Sequence, residues 1–599
     1  MIGQILNLLT FKLKLQLILI VIIMFVKGLM EVISISSIPF LIFYLLSPDK
    51  IIFFLNENNL HFLSKIVVNL DLSIVLIIII FTFFFKNLFF LLFNIYEENF
   101  HYKINVKFRA DLLKHYLNIS YLDLIKNNIS VIIRNISIEV VHFSSAITNI
   151  IKILNDSIMI STFLIFLTYI SSLQFLLIFF AFTIFSLLIF LFLKKKLKYF
   201  GERSVEGRGL YIKNITDIFL IIKDISLNNL EKYFYNLFNK NLRLTEKIDF
   251  FSKIVFSSTK LFFETFAVLL LCILIFVNQE SDSNYEELLA YLSVVSLAII
   301  RMLPLFNSVL SESNKLQFRF GSVRTLSEIL KNVSKKKIDN FLINPNIDKH
   351  EFIKYSSKLK INNLSSQILE KKILENINLE ILKGSKIALI GKSGSGKTTL
   401  LNHISQLYEI PGETILSDGI DVRLRKREWK KLVSYMPQEN YLINGTIIEN
   451  IALGIEKDRI NQKNLEKAIE LSLCNEFLSK LPDKNYTLLG KDGFKLSGGQ
   501  TQRVCIARSL YKDFEILLMD EPTSSLDRNL ELNILDSIFK KYENKTIIIS
   551  LHKLELIDKF EYLIILDQRK LFSFCKIADI HKNAQIRSYI ENLKIDEKK

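Results

Sequence analysis

The sequence predicts two folds in series: a helical membrane block of six long spans, then an α/β domain on a largely parallel sheet. Three observations predict it. Six strongly apolar runs are spread over the first 310 of 599 residues. The composition turns polar after about Leu330. Beyond that, short β-rich runs ("KIALI", "EILLMD", "TIIIS") alternate with helical stretches, the pattern of parallel strands joined by helices.

The apolar runs are Leu17–Leu46, Ser73–Phe93, Ile147–Ile170, Leu173–Leu193, Ile254–Val277 and Leu288–Leu310. Each reaches or approaches the roughly 20 residues a helix needs to cross a bilayer. The third begins with polar residues, among them Asn155 and Asp156. Ser171–Ser172 makes a tight turn between the third and fourth, whereas long mixed linkers follow the second and fourth. Helical periodicity in those linkers predicts membrane helices that continue past the lipid. Lys12, Lys14 and "KKKLK" (Lys194–Lys198) flank the runs, and "NQESDSNYEE" (Asn278–Glu287) is acidic. The positive-inside rule therefore places both termini and the long linkers in the cytoplasm. Ile51–Leu70 reads either as an amphipathic helix on the outer interface or as a partly buried loop helix. The domains expected are 1–330 (membrane block), 331–357 (linker), 358–577 (α/β domain) and 578–599 (charged tail).

Half of the residues are hydrophobic, and 49 are Phe against one Trp. The net charge of +16 suits either nucleic acid or an anionic membrane surface. The basic residues flank apolar runs, so the membrane surface is expected and nucleic acid is not. Cys272, Cys474, Cys505 and Cys575 are scattered, without the spacing of a zinc site or a disulfide framework.

The chemistry sits in the second half. "GKSGSGKT", Gly391–Thr398, follows the strand "KIALI" and opens the helix "TLLNHI", which is the context a phosphate-binding loop requires. Its glycines let backbone N–H groups wrap phosphates, and the helix N-terminus adds positive potential. Lys397 reaches the β- and γ-phosphates, and the Thr398 hydroxyl binds Mg²⁺. The expected ATP-binding set is Gly391, Ser393, Gly394, Gly396, Lys397, Thr398 and Thr399. Downstream, "ILLMDE" ends a buried strand in two acids. Asp520 can hold the Mg²⁺ shell, and Glu521 can polarise a water.

Between these motifs lies "LSGGQ", Leu496–Gln500. Phosphate loop, LSGGQ and "LLMDEPTSSLD" in this order resemble the nucleotide-binding domain of ABC transporters. The resemblance implies several roles. Gln438 in "YMPQEN" would be the Q-loop glutamine, sharing the Mg²⁺ with Thr398 and Asp520. Asp527 would be the D-loop aspartate. His552 would be the switch histidine, acting with Glu521 and Gln438 in catalysis. Ser497, Gly498, Gly499 and Gln500 would serve the site of a second subunit, so one chain with every motif implies a homodimer. A membrane block ahead of the ATPase on one chain resembles an ABC exporter: a six-helix transmembrane domain followed by a P-loop ATPase domain. Its coupling helices are expected near Asn118–Asn128 and Tyr211–Ser226. Two features depart from that family. Ile368 stands where an adenine-stacking aromatic is usual, and Lys491 stands where exporters often carry an acid.

Ionisable residues inside lipid are costly and mark substrate paths. Lys27 and Glu31 lie one helical turn apart and can pair, as can Lys260 and Glu264. Lys86, Lys260 and Arg301 are the candidate cavity cations; snorkelling or intramolecular pairing is the plain alternative for the lysines. "NISY", "LMEVISISSIPF", "TKLFFET" and "LAIIRMLPLFN" resemble the bacterial lipid-linked oligosaccharide flippase of N-linked glycosylation. That resemblance implies a pyrophosphate met by Lys86, Lys260 and Arg301, with Asn307 standing near the place of a further expected cation. The expected protein is thus an ATP- and Mg²⁺-dependent homodimer in the bacterial inner membrane that exports or flips an anionic lipid-linked substrate, a polyprenyl-pyrophosphate-linked oligosaccharide. The alternatives are a lipid A-type, peptide or drug exporter, or a membrane-anchored regulatory ATPase.

Overall fold

The computed structural model describes residues 2–46, 71–170, 173–278, 285–335, 353–368, 371–490 and 493–598. The Ile51–Leu70 segment, the Ser171–Ser172 turn, most of the acidic loop, Lys491 and most of the 331–357 linker lie outside the described residues. The chain forms two compact units: 1–119 with 126–343, and 120–125 with 344–599.

The first unit is helical. Its long helices are α1 (Phe11–Leu46), α2 (Leu72–Asn118), α3 (Val140–Ile170), α4 (Leu173–Leu220), α5 (Glu231–Asn278) and α6 (Tyr285–Phe318). Each contains one of the six apolar runs. Among the described residues, the stretches Phe11–Ser34, Leu72–Asn118, Ile129–Ile165 and Glu231–Ile273 are long and apolar enough to cross a membrane. The lipid-length part of α2 is only the start of a 47-residue helix, so the chain continues as helix well beyond it.

Phenylalanine supplies much of the packing between α4, α5 and α6. Phe182, Phe263 and Phe306 are buried together, and the Phe185 and Phe266 rings stack at 4.1 Å. The polar start of the third run also has a cause. Asp156 is buried, and its carboxylate accepts from Ser308 of α6 at 2.5 Å and from Asn155 at 2.8 Å. Asp156 is therefore a pinned contact inside one continuous helix.

Past the lipid-length segments the helices are tied by charge. Glu139 is fully buried in a π-helical turn, Asn135–Glu139, and accepts two hydrogen bonds from Arg208 of α4 at 3.0 and 3.1 Å. This two-pronged geometry is the strong form of a buried ion pair. At Gly201 of α4 a Cβ would sit 1.8 Å from the Phe318 carbonyl oxygen, so only glycine allows that crossing. Short helices fill both positions expected for coupling helices, Tyr121–Lys126 and Ile222–Leu227.

The second unit is built on a six-stranded sheet ordered β12-β11-β3-β10-β9-β6. The strands are β3 (Lys386–Ile390), β6 (Val433–Met436), β9 (Ile516–Asp520), β10 (Thr546–Ser550), β11 (Tyr562–Asp567) and β12 (Lys570–Lys576). Five run parallel, and β12 closes one edge antiparallel. Every residue of β3, β9 and β10 is buried, which explains their unbroken apolar runs. A second, antiparallel sheet, β2-β1-β4-β5, accompanies it, with β1 Lys358–Ile368, β2 Lys371–Leu382, β4 Ile415–Ser417 and β5 Ile420–Asp421; β7 (Gly445–Thr446) and β8 (Leu488–Leu489) pair separately. The Ser120–Ile125 segment groups with this unit, where Tyr121 stacks on Tyr408 with ring centroids 6.2 Å apart.

The 578–599 segment differs from the charged tail expected. It contains a helix, Ala584–Lys598, that buries Ile586, Ile590 and Leu593 in the domain core. Those residues recur at helical spacing, and their apolar stripe outweighs the charged face between them.

Candidate functional site

The candidate ATP site lies at the carboxyl ends of the parallel strands, where loops leave the sheet together. β3 ends at Ile390, and the glycine-rich loop carries the chain into α7 (Lys397–Ile404). Gly396, the N-cap of α7, has φ 105°, and a Cβ there would lie 2.5 Å from Leu374 Cδ2. Gly394 has φ 76° and open space beside it. The loop can therefore bring its backbone close to a polyphosphate. The Lys397 ammonium donates to the Gly391 carbonyl at 2.8 Å, so its reach is already folded back over the loop. Thr398 and Ser393 are exposed, while Thr399 is buried in the first turn of α7.

Asp520 closes β9 and is fully buried. One carboxylate oxygen accepts from the Ser550 hydroxyl at 2.5 Å; the other, Oδ2, is buried and has no hydrogen-bond partner among the described residues. An unpartnered buried carboxylate oxygen beside a phosphate loop is a fit for a hard cation such as Mg²⁺. Thr398 and Gln438 supply further oxygen donors of the type such an ion takes.

Glu521 follows with φ 50°, a conformation costly for a side-chain-bearing residue. Its strained backbone is held at both ends: its N–H donates to Ser550 Oγ at 2.9 Å, and its carbonyl accepts from Gln502 Nε2 at 3.3 Å. The carboxylate is gripped from two sides. Gln438 Nε2 donates to one oxygen at 2.9 Å, and His552 Nε2 lies 2.8 Å from the other. Gln438, Glu521 and His552 thus meet in one constellation, although 83 residues separate the first two. A carboxylate so aimed can orient and polarise a water, with the histidine beside it to respond to the γ-phosphate.

The LSGGQ segment starts α8 (Gly498–Tyr511). Ser497 is its N-cap: its hydroxyl accepts from the Gln500 N–H, and the Gln500 side chain accepts from the Ser497 N–H. This capping box fixes the loop's shape and leaves the N–H groups of Gly498 and Gly499 at a positive helix end. Gly499 packs closely, since a Cβ there would sit 3.2 Å from the Ser525 carbonyl. Asp527 caps the next helix, α9 (Arg528–Lys541), by accepting from the Leu530 N–H at 3.0 Å.

Two residues of this site escaped sequence reasoning. Ser550 bonds Asp520 and Glu521 at once because β10 pairs with β9 in the register Ser550 opposite Asp520. Gln502, fully buried, bonds the Glu521 carbonyl, Ser524 Oγ and the Ser525 N–H, fastening the signature helix to the Glu521 loop. A glutamine two places after LSGGQ and a serine ending "TIIIS" were the available signals. Ile368 is the last residue of β1, and the stretch from Tyr355 to Tyr408 holds no aromatic between them.

The three candidate cavity cations part company. Lys86 is buried and pairs with Glu31 at 3.2 Å; Arg301 lies 3.9 Å from the same carboxylate. Glu31 thus joins α2 and α6 through α1, in place of the expected pairing with Lys27. The Lys27 ammonium lies over the rings of Phe90 and Phe93, at 4.8 and 4.9 Å. Lys260 pairs along its own helix with Glu264 at 3.6 Å, and its side chain is 65% exposed. Asn307 accepts from Thr259 at 2.8 Å, linking α6 to α5.

Comparison with known proteins agrees with this architecture. Residues 374–524 match the ABC transporter family model. The transport/processing ATP-binding protein ComA of Streptococcus pneumoniae is 36% identical over 221 residues, which is 37% of this chain and 30% of that protein. The ATP-dependent lipid A-core flippase of Vibrio vulnificus is 36% identical over 199 residues, 33% of this chain and 34% of the flippase. The chain therefore matches about a third of the length of these relatives. A bacterial Atm1-family ABC exporter solved with ATP bound superposes with a TM-score of 0.74 at 19% identity, covering 96% of this chain and 97% of the other. The fold is that of an Atm1-family ABC exporter, a helical transmembrane domain followed by an ABC ATPase domain.

Proposed function

We propose that this chain is one half of a homodimeric, ATP-driven exporter that moves an anionic lipid across the bacterial inner membrane. A polyprenyl-pyrophosphate-linked oligosaccharide is the substrate that fits best. The observation that carries the ATPase part is the Gln438–Glu521–His552 constellation beside the phosphate loop. The relatives add a direction, since one is named a lipid A-core flippase and another a transport protein. The flippase relative keeps a lipid A-type lipid as the second reading.

Catalysis follows from the chain's own groups. The loop backbone and Lys397 bind and orient the phosphates. Glu521 holds and polarises the attacking water, while Gln438 and His552 keep the carboxylate in line. Thr398, Gln438 and Asp520 would hold Mg²⁺, which would supply charge neutralisation to the phosphates. Ser497, Gly498 and Gly499 would complete the site of the partner subunit, which ties hydrolysis to closure of the dimer. The helices Tyr121–Lys126 and Ile222–Leu227 would pass that closure to the membrane helices.

The test is ATPase activity of the purified chain in lipid bilayers, with and without candidate lipids. Glu521→Gln should lower turnover by about 10²–10⁴-fold, the usual worth of a positioned base, and leave ATP binding intact. Full turnover in that variant would remove Glu521 from the catalytic role.

A further inference from the structure

Glu31, Lys86 and Arg301 come from three helices and meet inside the apolar block. Two cations there without a partner would cost several kcal/mol each. One carboxylate serves both, so the cluster keeps a formal net charge of +1. The two contacts are unequal. Lys86 is held at 3.2 Å with its side chain 9% exposed, and its ammonium also faces the rings of Phe83 and Phe90 at 5.0 and 5.5 Å. Arg301 is held loosely, at 3.9 Å, and its side chain is 39% exposed. Its planar, permanently charged fork is the group that matches a phosphate in two-pronged fashion. Lys86 further lines an apolar groove of about 400 Å³ with Met30, Ile33, Ile77, Phe81 and Phe85. Hydrocarbon in that groove brings a lipid's head group within reach of the same cations.

We infer that Glu31 is a tethered counter-ion that competes with a lipid-borne phosphate for Lys86 and Arg301, and so sets the affinity and charge threshold of the substrate site. This rests on the anionic-lipid reading above. A phosphate approaches Arg301 first, displaces the weaker arm of Glu31, and then shares or takes Lys86. A neutral lipid offers no charge to replace the carboxylate and leaves it in place. Specificity then comes partly from an internal rival that only a sufficiently charged ligand outcompetes. A purely structural ion pair predicts the opposite sign, because its loss would loosen the site and weaken binding.

The experiment measures binding of a radiolabelled polyprenyl diphosphate to the full-length chain in phosphatidylcholine nanodiscs. The corresponding polyprenol and inorganic pyrophosphate serve as comparison ligands. Glu31→Gln should tighten binding of the diphosphate lipid on the order of tenfold, in keeping with coupling energies of close charge pairs. Glu31→Asp keeps the charge but draws it back by one methylene. It should tighten binding by a smaller factor, and it carries the test if the glutamine variant does not fold. Polyprenol binding should not change. If the wild type binds the diphosphate lipid and both variants bind it equally or more weakly, the counter-ion role falls while the anionic-lipid reading stands. If wild type and variants all fail to bind it, both fall together. Inorganic pyrophosphate binding as tightly as the lipid would overturn the lipid-borne source.

Discussion

Glu521 carries the chemistry proposed here, and its position depends on residues that never touch ATP. Ser550 bonds both Asp520 and the Glu521 backbone, which has φ 50°. Ser550→Ala should free both acids and lower kcat by about 10–100-fold, the usual range for supports of metal-site ligands. Steady-state ATPase kinetics would show it, with KM changing much less. His403, on the helix that follows the phosphate loop, is a structural counterpart. It is buried, neither ring nitrogen has a hydrogen-bond partner among the described residues, and burial lowers its pKa from 6.5 to about 4. The folded state therefore binds fewer protons than the unfolded chain between those values, and stability rises with pH there. His403 should cost nothing above about pH 6.5 and remove up to roughly 3 kcal/mol as pH falls toward 4. Thermal unfolding of the purified chain at pH 7 and pH 5 checks this, since His403→Leu should narrow the gap between the two. The placing of Asp520 and Glu521 at the end of a buried strand was legible in the sequence because they lie in one linear motif. Ser550 was not, because its role comes from which strand lies beside which. Glu31 illustrates the same point: its sequence neighbour Lys27 suggested a pair, yet packing of α1 against α2 supplied a closer cation, Lys86.

At the level of elements, the six long helices were legible from their apolar runs, and four stretches among the described residues are long and apolar enough to cross a membrane. Their extensions were legible as helix, but not how they are fastened. The π-helical turn that aims Glu139 at Arg208 has no local sequence signature. Nor does the crossing at Gly201, where the neighbour is a backbone carbonyl from another helix. Gly201→Ala should force these backbones apart and destabilise the helical unit by about 1–3 kcal/mol or more, as overpacking does. Lower yield of folded protein and a lower unfolding temperature in detergent would report it, whereas Gly3→Ala, with open space around it, should be neutral. In the ATPase unit the alternating strands announced a parallel sheet. The second, antiparallel sheet was hidden, since its strands β1 and β2 alternate buried and exposed positions in a polar-looking stretch. The terminal helix was masked in the same way, by charges on its outer face.

The molecule as a whole couples two chemistries that its sequence keeps apart. On the reading proposed above, the LSGGQ loop of a second copy would complete the phosphate site of the first. In the helical unit Lys86 and Arg301 lie around Glu31, the cluster where we propose that a charged lipid's head group binds. Lys260, paired with Glu264, stands outside that cluster in the single chain. The central claim is that hydrolysis at Glu521 drives an anionic lipid across the membrane. It is tested most directly by translocation of a fluorescent polyprenyl-pyrophosphate glycan in proteoliposomes loaded with the purified chain. The account predicts ATP-dependent translocation by the wild type, stopped in Glu521→Gln. Wild-type chain that hydrolyses ATP yet moves no such lipid, or equal translocation by the Glu521→Gln chain, would contradict it.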